Sequence, residues 1–128
     1  NTSRCGYRQY LLLAPTTSDE RIKKIASLAS GYLYCVSLNG VTGAGHLNIA
    51  AVTEKLASIK RHTNLPITVG FGIKDGASAA ALAPLCEGVV VGSALIERIV
   101  ATDSALNNTE RAAVAAELIA EIRTAIDA

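Results

Sequence analysis

Four short apolar runs, each followed by a stretch of helical periodicity and recurring about every 30 residues, restrict this chain to a parallel α/β fold. Parallel neighbours need a crossover connection, and a helix supplies it with right-handed geometry. The first run is Tyr10 to Ala14, ended by Pro15, with the length of a strand buried on both faces. Thr17 and Glu20 have the spacing of a capping box, so the first helix should start with Thr17 as N-cap. Ile22, Ile25, Ala26 and Ala29 give it an inner stripe, and Gly31 should close it.

The second run is residues 32–37, followed by a loop from Leu38 to Asn48 with three glycines. Ile49, Val52, Leu56 and Ile59 then form the inner stripe of a second helix. Pro66 opens the third run, Ile67 to Gly70. An alanine-rich helix follows, from Asp75 as N-cap to Pro84. The fourth run, Gly88 to Val91, is stopped by Gly92, and helix resumes at Ser93. A last helix fills residues 109–127, with Val114, Leu118, Ile122 and Ala125 facing inward.

No linker or low-complexity stretch divides the 128 residues, so they read as one unit, 1–128. Two architectures share this rhythm. One is an open four-stranded sheet; the other is half of a closed barrel, which needs eight strand–helix units in roughly 250 residues. With four Tyr, one Phe and no Trp, the core of either must be built from Ala, Val, Leu and Ile. A net charge of +1 gives no footprint for nucleic acid or an anionic membrane. No apolar run reaches the ~20 residues of a membrane span, and the polar first ten residues do not make a signal peptide. Cys5, Cys35 and Cys86 lack zinc or CxxC spacing, so reduced, buried thiols and a cytoplasmic location are expected. The chain begins at Asn1 and not Met, as a trimmed chain or a fragment would.

Ligands of parallel α/β folds meet the carboxyl ends of the strands, so chemistry is sought in the loops that follow them. After the second strand, Gly40, Gly43 and Gly45 surround Thr42, which suits a closing lid or an ordinary glycine-rich connection. After the third, Gly70 and Gly72 flank Phe71; backbone amides could approach a ligand there, or the segment is a tight turn beside a core Phe. After the fourth, Gly92 runs directly into a helix at Ser93. That is an anion site, or Ser93 simply caps its own helix. Backbone donors from two successive loops, one of them opening a helix, match the phosphate site of many (βα)8 barrels. This combination favours the half-barrel, with the four strands as its second half.

No catalytic acid or base stands out. Asp19, Glu20, Asp75 and Asp103 occupy helix starts, and Glu87 lies at the amino end of a strand. His46 and His62 read as surface residues. Tyr34 should point from the second strand into the barrel or its rim.

Five segments carry a family resemblance: Leu13–Thr17, Tyr32–Ser37, Gly40–Ala44 (GVTGA), Val69–Ile73 and Gly88–Ala94. In this order and spacing the chain resembles the alpha subunit of tryptophan synthase over nearly its whole length. The resemblance implies half of a (βα)8 TIM barrel and a retro-aldol cleavage of indole-3-glycerol phosphate to indole and glyceraldehyde 3-phosphate. It implies that Gly43, Gly72, Gly92 and Ser93 hold the phosphate, that Phe71 lines the indole pocket, that Thr42 assists from the closing loop and that Tyr34 borders the site. It implies no cofactor in this subunit and a beta-subunit partner that carries pyridoxal phosphate. The family's two catalytic carboxylates lie on an earlier strand and the loop after it, with no counterpart here. The isolated chain is therefore expected to bind phosphate without turnover. Its bare edge strands should drive pairing with the missing half or with a second copy.

Overall fold

A computed structural model of the chain describes residues 8–36, 48–70, 72–102 and 105–128. Four strands, β1 (Leu11–Leu13), β2 (Leu33–Val36), β3 (Ile67–Gly70) and β4 (Gly88–Val90), form one sheet in the order β1-β2-β3-β4. Every pairing is parallel. Among the described residues five helices accompany them: α1 (Asp19–Leu28), α2 (Ile49–Lys60), α3 (Gly76–Leu82), α4 (Ser93–Val100) and α5 (Asn108–Asp127). A 3₁₀ turn at Ala83–Leu85 carries the chain from α3 to β4.

The two faces of the sheet differ because strand side chains alternate. Leu13, Leu33, Cys35, Ile67 and Val69 are buried and meet Ile22, Val52, Leu56, Ile59, Leu82, Leu118 and Ile122 from the helices. Each such Leu or Ile contributes roughly 1.5–3 kcal/mol by leaving water. The opposite face presents the row Leu12, Tyr34, Thr68 and Gly88, set side by side by the register. Leu12 there is 64% exposed, and Tyr34 and Thr68 are only half-buried. A sheet covered by helices on one face, with an apolar and uncovered second face, is what a half-barrel requires.

The element order expected from periodicity is the one observed, with local exceptions. Thr17 does not cap α1. Its hydroxyl accepts a hydrogen bond from the Ala14 amide at 3.0 Å, and Ser18 takes the N-cap position without a side-chain bond. The turn after Pro15 thus claims the hydroxyl that the capping box needed. Gly31 does not close α1 either; the helix ends at Leu28, with Ala29 as C-cap. Gly31 instead lies under Tyr10, whose ring occupies the space a Cβ would take. Tyr10 itself packs against Tyr32, with ring centroids 4.5 Å apart. In α5, Ala115 is buried and Val114 only half-buried.

Asp75 does cap α3, accepting from the Ser78 amide at 2.8 Å, and the Ser78 hydroxyl bonds back to the Asp75 amide. Asn107 and Glu110 form a second capping box at α5. Asp103 lies outside the described residues.

Candidate functional site

The carboxyl ends of β2, β3 and β4 open onto one cleft of roughly 270 Å³, lined by Tyr34, Gly72, Ile73, Val90, Gly92 and Ser93. The fold therefore brings together four of the residues singled out in the sequence, from three different strand–helix units. Thr42, Gly43 and Phe71 lie outside the described residues, as does His46.

Each wall has a local cause. Gly72 has φ +83°, a left-handed conformation that other L-residues adopt only with strain. A Cβ built on it would meet nothing within 4 Å, so backbone shape and not crowding calls for glycine there. Gly92 is likewise open, and it is the N-cap of α4. Ser93 is thus the first helical residue and not the cap, and no side-chain capping bond is made at this end. That overturns the reading of Ser93 as a self-capping serine. A helix start leaves N–H groups without intrahelical partners, and the partial positive charge there favours an anion.

Tyr34 lines the cleft and is seated over Gly70. Gly70 is buried, because the Tyr34 phenol lies across it from the neighbouring strand, two positions along from the Tyr34–Thr68 pairing. Burial pushes the Tyr34 pKa up, with nearby Tyr32 adding to the effect, so the phenol stays neutral at physiological pH. Val90 and Ile73 complete an apolar wall. Sequence reasoning missed both as site residues. Strand alternation carried the signal for Val90, since it shares a face with Gly70 through the β3–β4 register.

No carboxylate lines this cleft among the described residues. The described acids hold the scaffold together instead. Asp19 accepts from the Ser58 hydroxyl at 2.7 Å and faces Arg61 at 3.7 Å. Its pKa is lowered mainly by the Ser58 bond, with His62 and Arg61 helping. Lys55 adds a bond from α2 to the Thr17 carbonyl. Glu87 accepts from the first amide of β3, Ile67, at 2.7 Å and pairs with Lys60 at 3.2 Å. Burial alone would raise the Glu87 pKa, but these partners outweigh it and the net shift is downward.

His62 is a second correction. Its side chain is only 14% exposed, and Nε2 is buried without a hydrogen-bond partner. Asp19 Oδ2, at 3.8 Å, is too far for a hydrogen bond but within ion-pair reach. Next to Asp19 at the start of α1, the structure leaves half-buried a residue whose sequence context suggested the surface. Cys35 is buried, and burial pushes its thiol up to about 11; Cys86 is partly buried and also raised by burial. Neither is in a disulfide among the described residues, and Cys5 lies outside them. No group of three or more metal-ligating side chains occurs among the described residues, and no described helix is long and apolar enough to cross a membrane.

The chain matches the family model for the tryptophan synthase alpha chain over residues 3–126. Among curated relatives, the tryptophan synthase alpha chain of Thioalkalivibrio sulfidiphilus is 50% identical over 122 residues, covering 95% of this chain and 45% of that protein. That of Methylococcus capsulatus is 46% identical over 125 residues, covering 98% and 46%. Among solved structures, the alpha subunit from Legionella pneumophila superposes with a TM-score of 0.76 at 34% identity, covering 95% of this chain and 43% of that one. The alpha subunit from Pyrococcus furiosus gives 0.72 at 30%, covering 93% and 46%. The chain thus spans somewhat less than half the length of the relatives it matches. Its four parallel strands, its glycine-built cleft and these alignments place it in the tryptophan synthase alpha chain family, as half of a (βα)8 barrel.

Proposed function

We propose that this chain is the phosphate-gripping half of an alpha subunit that cleaves indole-3-glycerol phosphate by a retro-aldol reaction, and that alone it binds phosphate without turnover. The observation that carries this reading is the convergence of Gly72, in its left-handed conformation, with Gly92 and Ser93 at the start of α4, on one cleft. Backbone amides can approach a phosphate closely where no Cβ intervenes, and the α4 dipole favours the dianion. Tyr34, Val90 and Ile73 offer an apolar wall of the kind an indole ring needs. On the family resemblance, Gly43 adds a further phosphate donor, Phe71 a further apolar wall, and Thr42 help from the closing loop.

Turnover requires a placed acid to protonate the indole ring carbon and a base for the glycerol hydroxyl. Among the described residues that line the cleft there is neither, and on the family resemblance the two carboxylates belong to the other half of the barrel. A barrel completed by that half, or eight strands restored by self-association, would bury the edges of β1 and β4. The beta subunit, with its pyridoxal phosphate, is the proposed partner of the completed enzyme, in the cytoplasm. The chain itself needs no cofactor for its part.

Two measurements test this. Titration of the chain with glycerol 3-phosphate, followed by NMR, should move the Gly72, Gly92 and Ser93 amides. Gly92→Ala should abolish the response while leaving the fold intact, because its backbone has negative φ and the added methyl meets nothing. Incubation with indole-3-glycerol phosphate should release no indole until a half carrying the two carboxylates is added. Amide shifts spread away from the cleft, or indole released by the chain alone, would refute the reading.

A further inference from the structure

We infer that Glu121 of α5 is a positioning residue for the phosphate grip, acting through the Gly76 amide on the segment that carries Gly72. The inference rests on the phosphate reading of the cleft, and its test separates the two.

Two walls of the cleft lead into helices. Gly72 lies four residues before Gly76, where α3 starts, and Gly92 is the N-cap of α4. Helix α5 packs against both α3 and α4, so one element touches the helices behind both walls. Backbone donors grip an anion well only while their directions are held. Gly72 has little of its own to hold it. It is exposed, and a Cβ built there would meet nothing within 4 Å. The φ of +83° must therefore be kept by the residues that follow.

Those residues are tied down one amide at a time. Ile73 is buried in the core. The Lys74 and Asp75 amides both donate to the Ser78 hydroxyl, at 3.2 and 3.3 Å. These bonds are made within the start of α3 and would move with it. The next amide, Gly76, donates to Glu121 Oε1 at 3.3 Å, across 45 residues of chain. It ties this end of α3 to a different element. Gly76 is the first residue of α3, where an amide has no partner inside the helix and a carboxylate suits the helix dipole.

The approach of the two helices is built for this bond. Gly76 is buried, and a Cβ on it would lie 2.9 Å from Ala125 Cβ of α5. Glycine in a helix costs stability relative to alanine. Here its lack of a side chain lets α3 start close enough to α5 for Glu121 to reach the amide.

The sign of the effect separates positioning from charge. A carboxylate acting only through its charge would repel a phosphate dianion, so its loss would tighten binding. A carboxylate that holds the Gly72 segment does the reverse.

Titration with glycerol 3-phosphate, followed by NMR, tests this, with circular dichroism as the check on folding. Glu121→Gln keeps an oxygen acceptor at the same reach without the charge, and should bind as tightly as the unaltered chain or more so. Glu121→Asp keeps the charge but falls one methylene short, and Glu121→Ala removes both. Each of these two should weaken binding by roughly three- to tenfold, the range of one lost hydrogen bond. Each should also move the Gly72 and Gly76 amides before any ligand is added. Glu117→Ala, exposed one turn earlier on α5, should change neither. A glutamine variant that binds no better than the aspartate variant overturns the inference. So does a folded alanine variant that binds as tightly as the unaltered chain. Either result leaves the phosphate reading standing, and if the alanine variant does not fold, the aspartate–glutamine pair decides alone. No binding by the unaltered chain would remove the phosphate reading and this inference together.

Discussion

Replacing Gly70 with alanine tests how Tyr34 is seated beside the cleft. A methyl at this position would overlap the Tyr34 hydroxyl oxygen, lie 2.5 Å from Tyr34 Cζ and lie 3.1 Å from Val90 Cβ. The backbone does not object, since Gly72 is the described glycine with positive φ. The conflict is therefore purely one of packing. Val90 is β-branched and stiff, so the tyrosine ring must move, and the uncovered face lets it swing outward. Overpacking of this kind costs about 1–3 kcal/mol. Alanine returns about 0.4–1 kcal/mol by restricting the unfolded chain. The net expectation is a loss of roughly 0.5–2 kcal/mol, together with a tyrosine displaced from the cleft.

The double change separates packing from backbone effects. In Gly70→Ala/Tyr34→Ala the methyl enters space the ring has left, so the two losses should not add. A coupling of about 1 kcal/mol or more is expected from residues in direct contact. Tyr34→Phe should rescue little, because Cζ remains in the way. Urea midpoints followed by far-ultraviolet circular dichroism supply all four corners of the cycle. Losses that add to within about 0.5 kcal/mol would show that Tyr34 does not hold Gly70 to glycine.

Three further outcomes follow from the geometry. Gly72→Ala should cost about 1 kcal/mol or more from backbone strain at φ +83° alone, seen as a lower urea midpoint with an unchanged slope. Asp75→Ala removes the side-chain half of the α3 capping box, leaves the residue-75 amide bonded to the Ser78 hydroxyl, and should cost about 1 kcal/mol, whereas Asp75→Asn should retain most of the stability. Asp19, Asp75 and Glu87 all have pKa values lowered in the folded state, so their contribution is fully present above the ordinary carboxylate range and is lost as pH falls through the lowered values. Stability measured against pH should therefore decline below about pH 4.5, and Glu87→Gln should make that decline shallower; an unchanged profile in the variant would remove Glu87 from the account.

Local signals settled where most elements lie. Ile67–Gly70 forms the strand that Pro66 announces, and Val52, Leu56 and Ile59 are buried as their helical spacing requires. Asp75 caps α3 because an N-cap depends on a side chain and an amide three residues on, both within reach of a short sequence window. The glycines at 72 and 92 were legible for the same reason, since a left-handed turn and a strand-to-helix turn are local events.

What needed the tertiary structure was every contact between distant segments. The Thr17 hydroxyl had two competing amides, and the turn geometry after Pro15 decided for Ala14. His62, just past the end of α2, is half-buried beside Asp19 at the start of α1, which no helical wheel of α2 reveals. Val90 enters the cleft through its register with Gly70, and Tyr34 covers that glycine across a strand boundary. Periodicity records which side of an element is apolar; it does not record which element comes to meet it. Long-range pairing is selected by the fit of whole faces, so the strand–helix rhythm and the candidate glycines belong to the sequence, whereas the cleft they share belongs to the folded sheet.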